Sequence, residues 1–423
     1  MEPRMRFDDV AWEESENIES AWVKAILKEP PYVQSATSSS NTVVASRQRS
    51  MIRFPKPGCT MFPEEKIRNE VATIRYIQDN TSIPVPFVLH WGTREESPLR
   101  LGPFILMEYI NHETDVGKVL NMPELHWQDR PLLNPHIDSE KLEMLYSQIA
   151  HVLLQLSKLE FPTIGSLRET DEFTWEAQLP NRTFSSSSDY FEALAQLHVD
   201  HLRHQRNDAV DSETDCKRKY VARHLFYKLA RQRRLTYNAH DNGPFKLWCD
   251  DLRPSNILLD DNMRIVGVVD WEFTYAAPIE FSFAPPWWLL LEQPEYWPGG
   301  AQDWIEVYET RLKTFLKAMT DTENKAIASG RLMESQRLAP KMKMSWESGD
   351  FWVTYGARKN FAFDAIFWRE LDPRIYGQSG VSEEDAWMKR LDIFEMKALV
   401  ERKTKDMDTR GLGVGSRGAM TRR

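Results

Sequence analysis

The sequence predicts an α+β chain of two unequal parts, a small strand-rich part followed by a larger, mainly helical one. Short apolar runs of strand length crowd residues 31–110. From about Asn111 the apolar positions recur at helical spacing instead. Within the helical part lies one β-hairpin segment, Phe245 to Pro278, with carboxylates at both ends.

That hairpin is the centre of the chain. Ile257 to Leu259 and Ile265 to Val269 are apolar runs flanking the turn residues Asp260, Asp261 and Asn262. Asp251 and Asn256 fall in the loop before the first strand, and Asp270 caps the second. Two acids and an amide gathered this way suit phosphoryl transfer. The chemistry needs a carboxylate near the attacking hydroxyl and oxygen ligands for Mg²⁺.

Composition bounds the partners. The 423 residues suffice for two or three lobes, and 41% apolar with 28% charged residues is ordinary for a globular protein. A net charge of −9 disfavours a nucleic-acid partner. Cys59, Cys216 and Cys249 are scattered, which argues against a disulfide framework or a zinc site and fits a reducing compartment. The N-terminus lacks the apolar core of a signal peptide, and Trp287 to Leu291 is too short to span a bilayer. The expectation is a cytoplasmic protein without a membrane partner.

In chain order, residues 1–30 are acidic, with Ile18, Trp22 and Ile26 at helical spacing, and read as a helical extension. Residues 31–110 follow as a strand-rich lobe. Its three first strands surround the polar turn Thr37 to Thr42 and end with Met51 to Phe54; a flexible serine-rich linker is the alternative for the turn. Phe62 to Lys66 opens a helix with Pro63 near its start and acids in its first turn. Ile83 to Pro86 is edge or extended chain, and Phe87 to Trp91 and Phe104 to Tyr109 are two more strands.

Residues 111–400 form the helical lobe. Leu142 to Leu159 trace one face of a long helix capped by Asp138 or Ser139. Glu172 to Ser188 reads as an exposed irregular loop, and Asp189 to Arg206 and Lys219 to Arg234 as helices separated by an acidic solvated loop, Asp208 to Asp215. Further helices fit Trp304 to Met319, Trp346 to Trp368 and Glu383 to Val400. Residues 401–423 read as a disordered basic tail.

The segment Cys249-Asp250-Asp251-Leu252-Arg253-Pro254-Ser255-Asn256, followed by Asp270-Trp271-Glu272, resembles the H-x-D-x-x-x-x-N and D-F-G segments of kinase-like folds. With D-W-E in place of D-F-G it is most similar to the aminoglycoside phosphotransferase / choline kinase-like family. Arg53 to Gly58 and Phe62 to Lys66 resemble a fungal-type branch of that family. The resemblance implies a protein-kinase-like two-lobe fold, with a nucleotide-binding N-lobe and a C-lobe carrying the catalytic loop and acceptor site.

It also implies roles. Asp251 would be the base, Arg253 would contact the transferred phosphoryl group, and Asn256 and Asp270 would hold Mg²⁺. Asp250 would only add negative potential. Ser39, Ser40 and Asn41 stand where the family's nucleotide loop covers the phosphates. Arg53 would pair with the phosphates, held by Glu70 on the following helix; a strand-edge cation and a surface carboxylate are the plain alternatives. The backbone of Glu108, Tyr109 and Ile110 would meet the adenine edge. The implied activity is ATP- and Mg²⁺-dependent transfer to a hydroxyl of a small-molecule acceptor, with GTP as a second possible donor and protein partners unspecified. Two departures stand out: Cys249 replaces the family's histidine, and the nucleotide turn has no glycine. They keep a weak or inactive pseudokinase, a nucleotide-binding or scaffold protein, as the alternative. A protein kinase fits poorly, because no A-P-E follows.

Overall fold

The computed structural model describes residues 34–37, 41–45, 50–56, 60–97, 100–126, 128–171, 174–178, 183–205, 209–377 and 393–408. The expected helical extension, residues 1–30, lies outside them. The first three strands are β1 (Gln34–Thr37), β2 (Asn41–Ala45) and β3 (Ser50–Pro55). The long helix α1 (Pro63–Asn80) follows, then β4 (Val88–Gly92) and β5 (Phe104–Glu108). The strands form one antiparallel sheet in the order β1-β2-β3-β5-β4. Pro63 starts α1, Glu64 and Glu65 sit in its positive first turn, and Ile67, Val71, Ile74 and Ile77 are buried.

The helical lobe begins with β6 (Thr114–Asp115), the short α2 (Val116–Leu120) and α3 (Ser139–Leu156). Asp138 caps α3 by accepting the Lys141 N–H at 2.8 Å. Then come β7 (Glu160–Phe161), β8 (Ser166–Asp171), β9 (Thr174–Gln178), α4 (Ser187–His204) and α5 (Glu213–Arg231). The catalytic segment supplies β10 (Phe245–Cys249), β11 (Ile257–Leu259), β12 (Ile265–Val268) and β13 (Thr274–Ala277). After α6 (Ile279–Phe283) the chain is helical: α7 (Gly300–Ala328), α8 (Ala339–Ser348), α9 (Asp350–Ala357), α10 (Phe363–Ile366), α11 (Asp372–Tyr376) and α12 (Ile393–Asp408). A small antiparallel sheet with one helix above a larger helical lobe is the protein-kinase-like architecture. Among the described residues no helix is long and apolar enough to cross a membrane.

Four sequence expectations need correction. The stretch read as an exposed loop, Glu172 to Ser188, contains β9, paired with β8 in a hairpin. Ser187 and Ser188 at its end are buried in the first turn of α4, their N–H groups bound by the carbonyl and carboxylate of Asp241 at 2.7 Å each. The acidic run Asp208 to Asp215 is not all loop. Ser212 caps α5 through the Asp215 N–H, so Glu213 and Asp215 occupy the end of the helix dipole that favours them.

The third correction concerns Trp346 to Trp368, which is not one helix. Gly349 breaks it at φ 77°, a left-handed conformation that side chains resist, and separates α8 from α9. Finally, the basic tail does not begin at residue 401, because α12 runs on to Asp408. Lys403 on it is buried, with Nζ donating to the Gln205 carbonyl of α4. A lysine whose charge meets a helix-end carbonyl can be buried, which composition alone does not reveal.

The large core is aromatic. Trp304 and Tyr308 stack at 4.4 Å, and Trp346 and Phe351 close over them. Trp288 lies in the core as well.

Candidate active site

The hairpin forms where its residues place it. β11 and β12 pair antiparallel, with Asp260 accepting the N–H groups of Asn262 and Arg264 to hold the turn. β10 ends at Cys249, and the chain turns through Asp250, Asp251 and a 3₁₀ turn, Pro254–Asn256, before β11 starts. Backbone bonds fix that turn: Asp250 N–H to Phe273 O at 3.1 Å, Asn256 N–H to Arg253 O at 2.9 Å and Val269 N–H to Asn256 O at 2.9 Å. Helix α2 seats directly against it. A Cβ on Gly117 would come within 3.1 Å of the Ser255 nitrogen.

Cys249 does not leave the loop slack. It is buried at the end of β10, opposite Thr274 of β13. Burial pushes its thiol up to about 12, so it stays protonated and unreactive. The backbone bonds supply the rigidity that a side-chain buttress would otherwise provide.

Asp251 and Asn256 meet. The Asn256 amide donates to the Asp251 carbonyl at 2.8 Å and to its carboxylate at 3.4 Å. Arg253 Nε lies 3.2 Å from the other Asp251 oxygen. Burial raises the Asp251 carboxyl to about 6, against the pull of Arg253, and Asp270 adds to the rise. Asp270 takes a left-handed conformation, φ 66°, two residues after β12 ends. Its own carboxyl is raised by burial, with Arg53 opposing.

Arg53 is no strand-edge cation. It is buried in the middle of β3 and pairs with both Glu70 of α1 and Asp270, the latter at 3.0 Å. Glu70 is correspondingly buried rather than a surface partner of Arg68. One cleft of about 230 Å³ between the lobes is lined by Arg53, Glu70, Glu108, Tyr109, Ile110, Asn256 and Asp270. These seven candidates came from four separate stretches of sequence. Asp251 and Arg253 lie beside the cleft, joined to it through Asn256. Asn41 opens β2, while Ser39 and Ser40 lie outside the described residues.

Two details differ from the reading of the sequence. The Glu108 N–H is donated to the Phe87 carbonyl at 2.9 Å, so the sheet edge leaves hinge donation to Tyr109 and Ile110. Asp250 does more than add negative potential. It accepts from Trp248 at 2.8 Å, from Tyr275 at 3.2 Å and from Arg358 at 2.6 Å.

Sequence reasoning also missed His112, which lines the cleft, and Lys66 of α1, whose Nζ lies 2.7 Å from buried Glu272. The four-residue spacing from Lys66 to Glu70 points to a pair within the helix rather than to Glu272, its partner in the structure. Nothing local marked Arg358.

Among the described residues no group of three His, Cys, Asp or Glu suits a metal ion. One acid and one amide, Asp270 and Asn256, suit instead a hard cation that keeps most of its shell as water and phosphate oxygens, which is the habit of Mg²⁺.

The phosphotransferase enzyme family model matches residues 36–315, about two thirds of the chain. The chain belongs to the phosphotransferase enzyme family. This phosphotransferase-family chain is 25% identical over 264 residues to the clavilactone A biosynthesis cluster protein Y of Ampulloclitocybe clavipes, covering 57% of its own length and 60% of that protein's. It is 26% identical over 112 residues to a subtelomeric hrmA-associated cluster protein of Aspergillus fumigatus, covering 26% and 19% of the two lengths. It therefore spans less than two thirds of either curated relative. Similar solved structures include ADP-bound aminoglycoside phosphotransferase APH(2'')-Ib, 14% identical with TM-score 0.44, covering 92% of this chain and 98% of that one. The streptomycin–ATP–APH(2'')-IIa complex is 12% identical with TM-score 0.45, covering 88% and 100%.

Proposed function

We propose that the chain transfers the γ-phosphoryl group of ATP to a hydroxyl of a small molecule, with Mg²⁺ as cofactor. The observation that supports this best is the convergence of Arg53, Glu70, Asn256 and Asp270 in one interlobe cleft that also holds the hinge strand end. In this reading Tyr109 and Ile110 offer backbone groups to the base, and GTP would fit the same edge. Arg53, steered by Glu70, presents its guanidinium to the phosphates. The turn at Ser39, Ser40 and Asn41 is assigned to the phosphates as well. Asn256 and Asp270 would hold Mg²⁺, which neutralises developing charge on the phosphate oxygens when bound. Asp251 takes the proton of the acceptor hydroxyl. Its raised carboxyl makes it a better base near neutral pH than an ordinary aspartate. Arg253 sits on that carboxylate and is assigned to contact the transferred phosphoryl group. A reducing cytoplasm suits the two free, buried thiols, Cys216 and Cys249.

One observation favours a second reading. Asp270 is already paired with Arg53, so a cation arriving there must displace a buried guanidinium. A chain in which that pair persists would bind nucleotide weakly and act as a scaffold. Melting curves with ATP and GTP, each with and without Mg²⁺, separate the two. The kinase reading expects a rise in Tm that needs Mg²⁺ and disappears in Asp270→Ala. A Tm indifferent to every nucleotide favours the scaffold.

A further inference from the structure

A second cavity, of about 260 Å³, borders the catalytic turn at Asp250. Its walls are Tyr190, Leu194 and Leu197 from α4, Tyr275 from β13, and Arg358 and Asn360 just after α9. Asp250, the neighbour of the proposed base, forms its inner end. Asp250 and Arg358 are the only charged residues on the wall, and they neutralise one another at 2.6 Å. The Arg358 guanidinium is held over Trp248 at 4.7 Å and Phe281 at 4.6 Å, so the pair is fixed by stacking as well as by charge.

The remaining lone pairs of Asp250 take Trp248 Nε1 and the Tyr275 hydroxyl, which is hydrogen-bonded to Tyr190. The acids on the nearby face of α4 are also matched: Asp189 by Arg233, Glu192 by Arg231 and Asp200 by Arg203. Among the described residues, no carboxylate on the cavity wall is left without a partner. One polar atom is unmatched: the amide oxygen of Asn360 is buried without a hydrogen-bond partner.

We infer that this cavity receives the phosphoryl acceptor and that it selects a small, uncharged, ring-bearing alcohol or phenol over a cationic amino alcohol. The inference rests on the kinase reading for calling the site the acceptor side, and it names the substrate class. The aromatic and aliphatic walls bury a ring, and the reacting hydroxyl enters beside Asp250, the chain neighbour of the proposed base. Arg358 is the selecting residue. It occupies the one carboxylate that would attract a cation, and its own charge repels one.

Ligand-observed NMR on the full chain tests this with a matched pair of probes, 4-hydroxybenzyl alcohol and 4-hydroxybenzylamine, the second cationic at neutral pH. The alcohol is expected to bind the wild-type chain and the amine to bind more weakly. Leu197→Arg places a charge on an exposed wall position and should abolish binding of the alcohol without disturbing the fold. Arg358→Gln should free Asp250 and shift the ratio toward the amine by roughly tenfold. Stronger wild-type binding of the amine overturns the inference. So does failure of the alcohol to bind, or binding that survives Leu197→Arg. If Arg358→Gln unfolds, as its melting curve would show, the wild-type ratio and Leu197→Arg still decide. The Mg²⁺-dependent ATP shift reads the other cleft. Its loss speaks against the kinase reading, whereas loss of probe selectivity with that shift intact speaks against the acceptor assignment alone.

Discussion

Asp251 is asked to be buried and to be charged. Its carboxyl stands at about 6, above the ordinary value of 3.8. Burial disfavours the ionised form, so folding is penalised above pH 6, and the penalty fades as pH falls toward 4. Asp251→Asn should therefore raise stability at pH 7.5 by about 1–3 kcal/mol in urea titrations. The same variant should lower kcat by about 10²- to 10⁴-fold if Asp251 is the base. Turnover near wild type would overturn that role, and a melting point that falls would overturn the burial argument. For the wild-type chain, kcat/KM should drop on acidification through pH 6, because the proton that stabilises the fold removes the base. A profile flat down to pH 5 would count against it. Asp251, Asn256 and Asp270 were legible in the sequence because their spacing is local to one hairpin. Arg358 was not, because it meets Asp250 across 108 residues of chain.

Elements were readable wherever one periodicity ran unbroken. The face of α3 and the strands of the small sheet follow directly from apolar spacing. The break between α8 and α9 did not, because Trp346 and Val353, seven residues apart, keep helical spacing across Gly349 and only the backbone conformation there shows the break. A Cβ at Gly349 would be strained at φ 77° and would approach the Arg374 side chain at 2.9 Å. Gly349→Ala should cost about 1–2 kcal/mol in chemical denaturation. An unchanged midpoint would mean that the joint tolerates a side chain. The hairpin of β8 and β9 was missed for a different reason. Its strands carry polar residues and lie beside a serine run, so local composition looked like loop.

At the scale of the whole molecule, two buried ion pairs tie the lobes through the D-W-E segment: Arg53 with Asp270, and Lys66 with Glu272. Both anchor the small lobe's β3 and α1 to the residues that follow β12. Removing one partner of such a pair strands charge in the interior. Lys66→Met should destabilise the fold by about 3 kcal/mol in urea. It should also weaken Mg·ATP binding, because α1 carries Glu70. A variant that loses stability while keeping full nucleotide affinity would show that the pair supports the fold alone. The lobes also join through the backbone, where the Val268 N–H of β12 meets the Pro84 carbonyl at 2.7 Å.

The sequence by itself determined the strands and helix of the small lobe, the hairpin with its acids, and the phosphotransferase family, since each is written in residues close together along the chain. Tertiary structure alone decided which charges neutralise one another. Arg53 reaches Asp270, and Arg358 silences Asp250, only after elements far apart in sequence pack together. An isolated charge in a string of letters carries no sign of its partner; burial, distance and the few oriented donors nearby assign one.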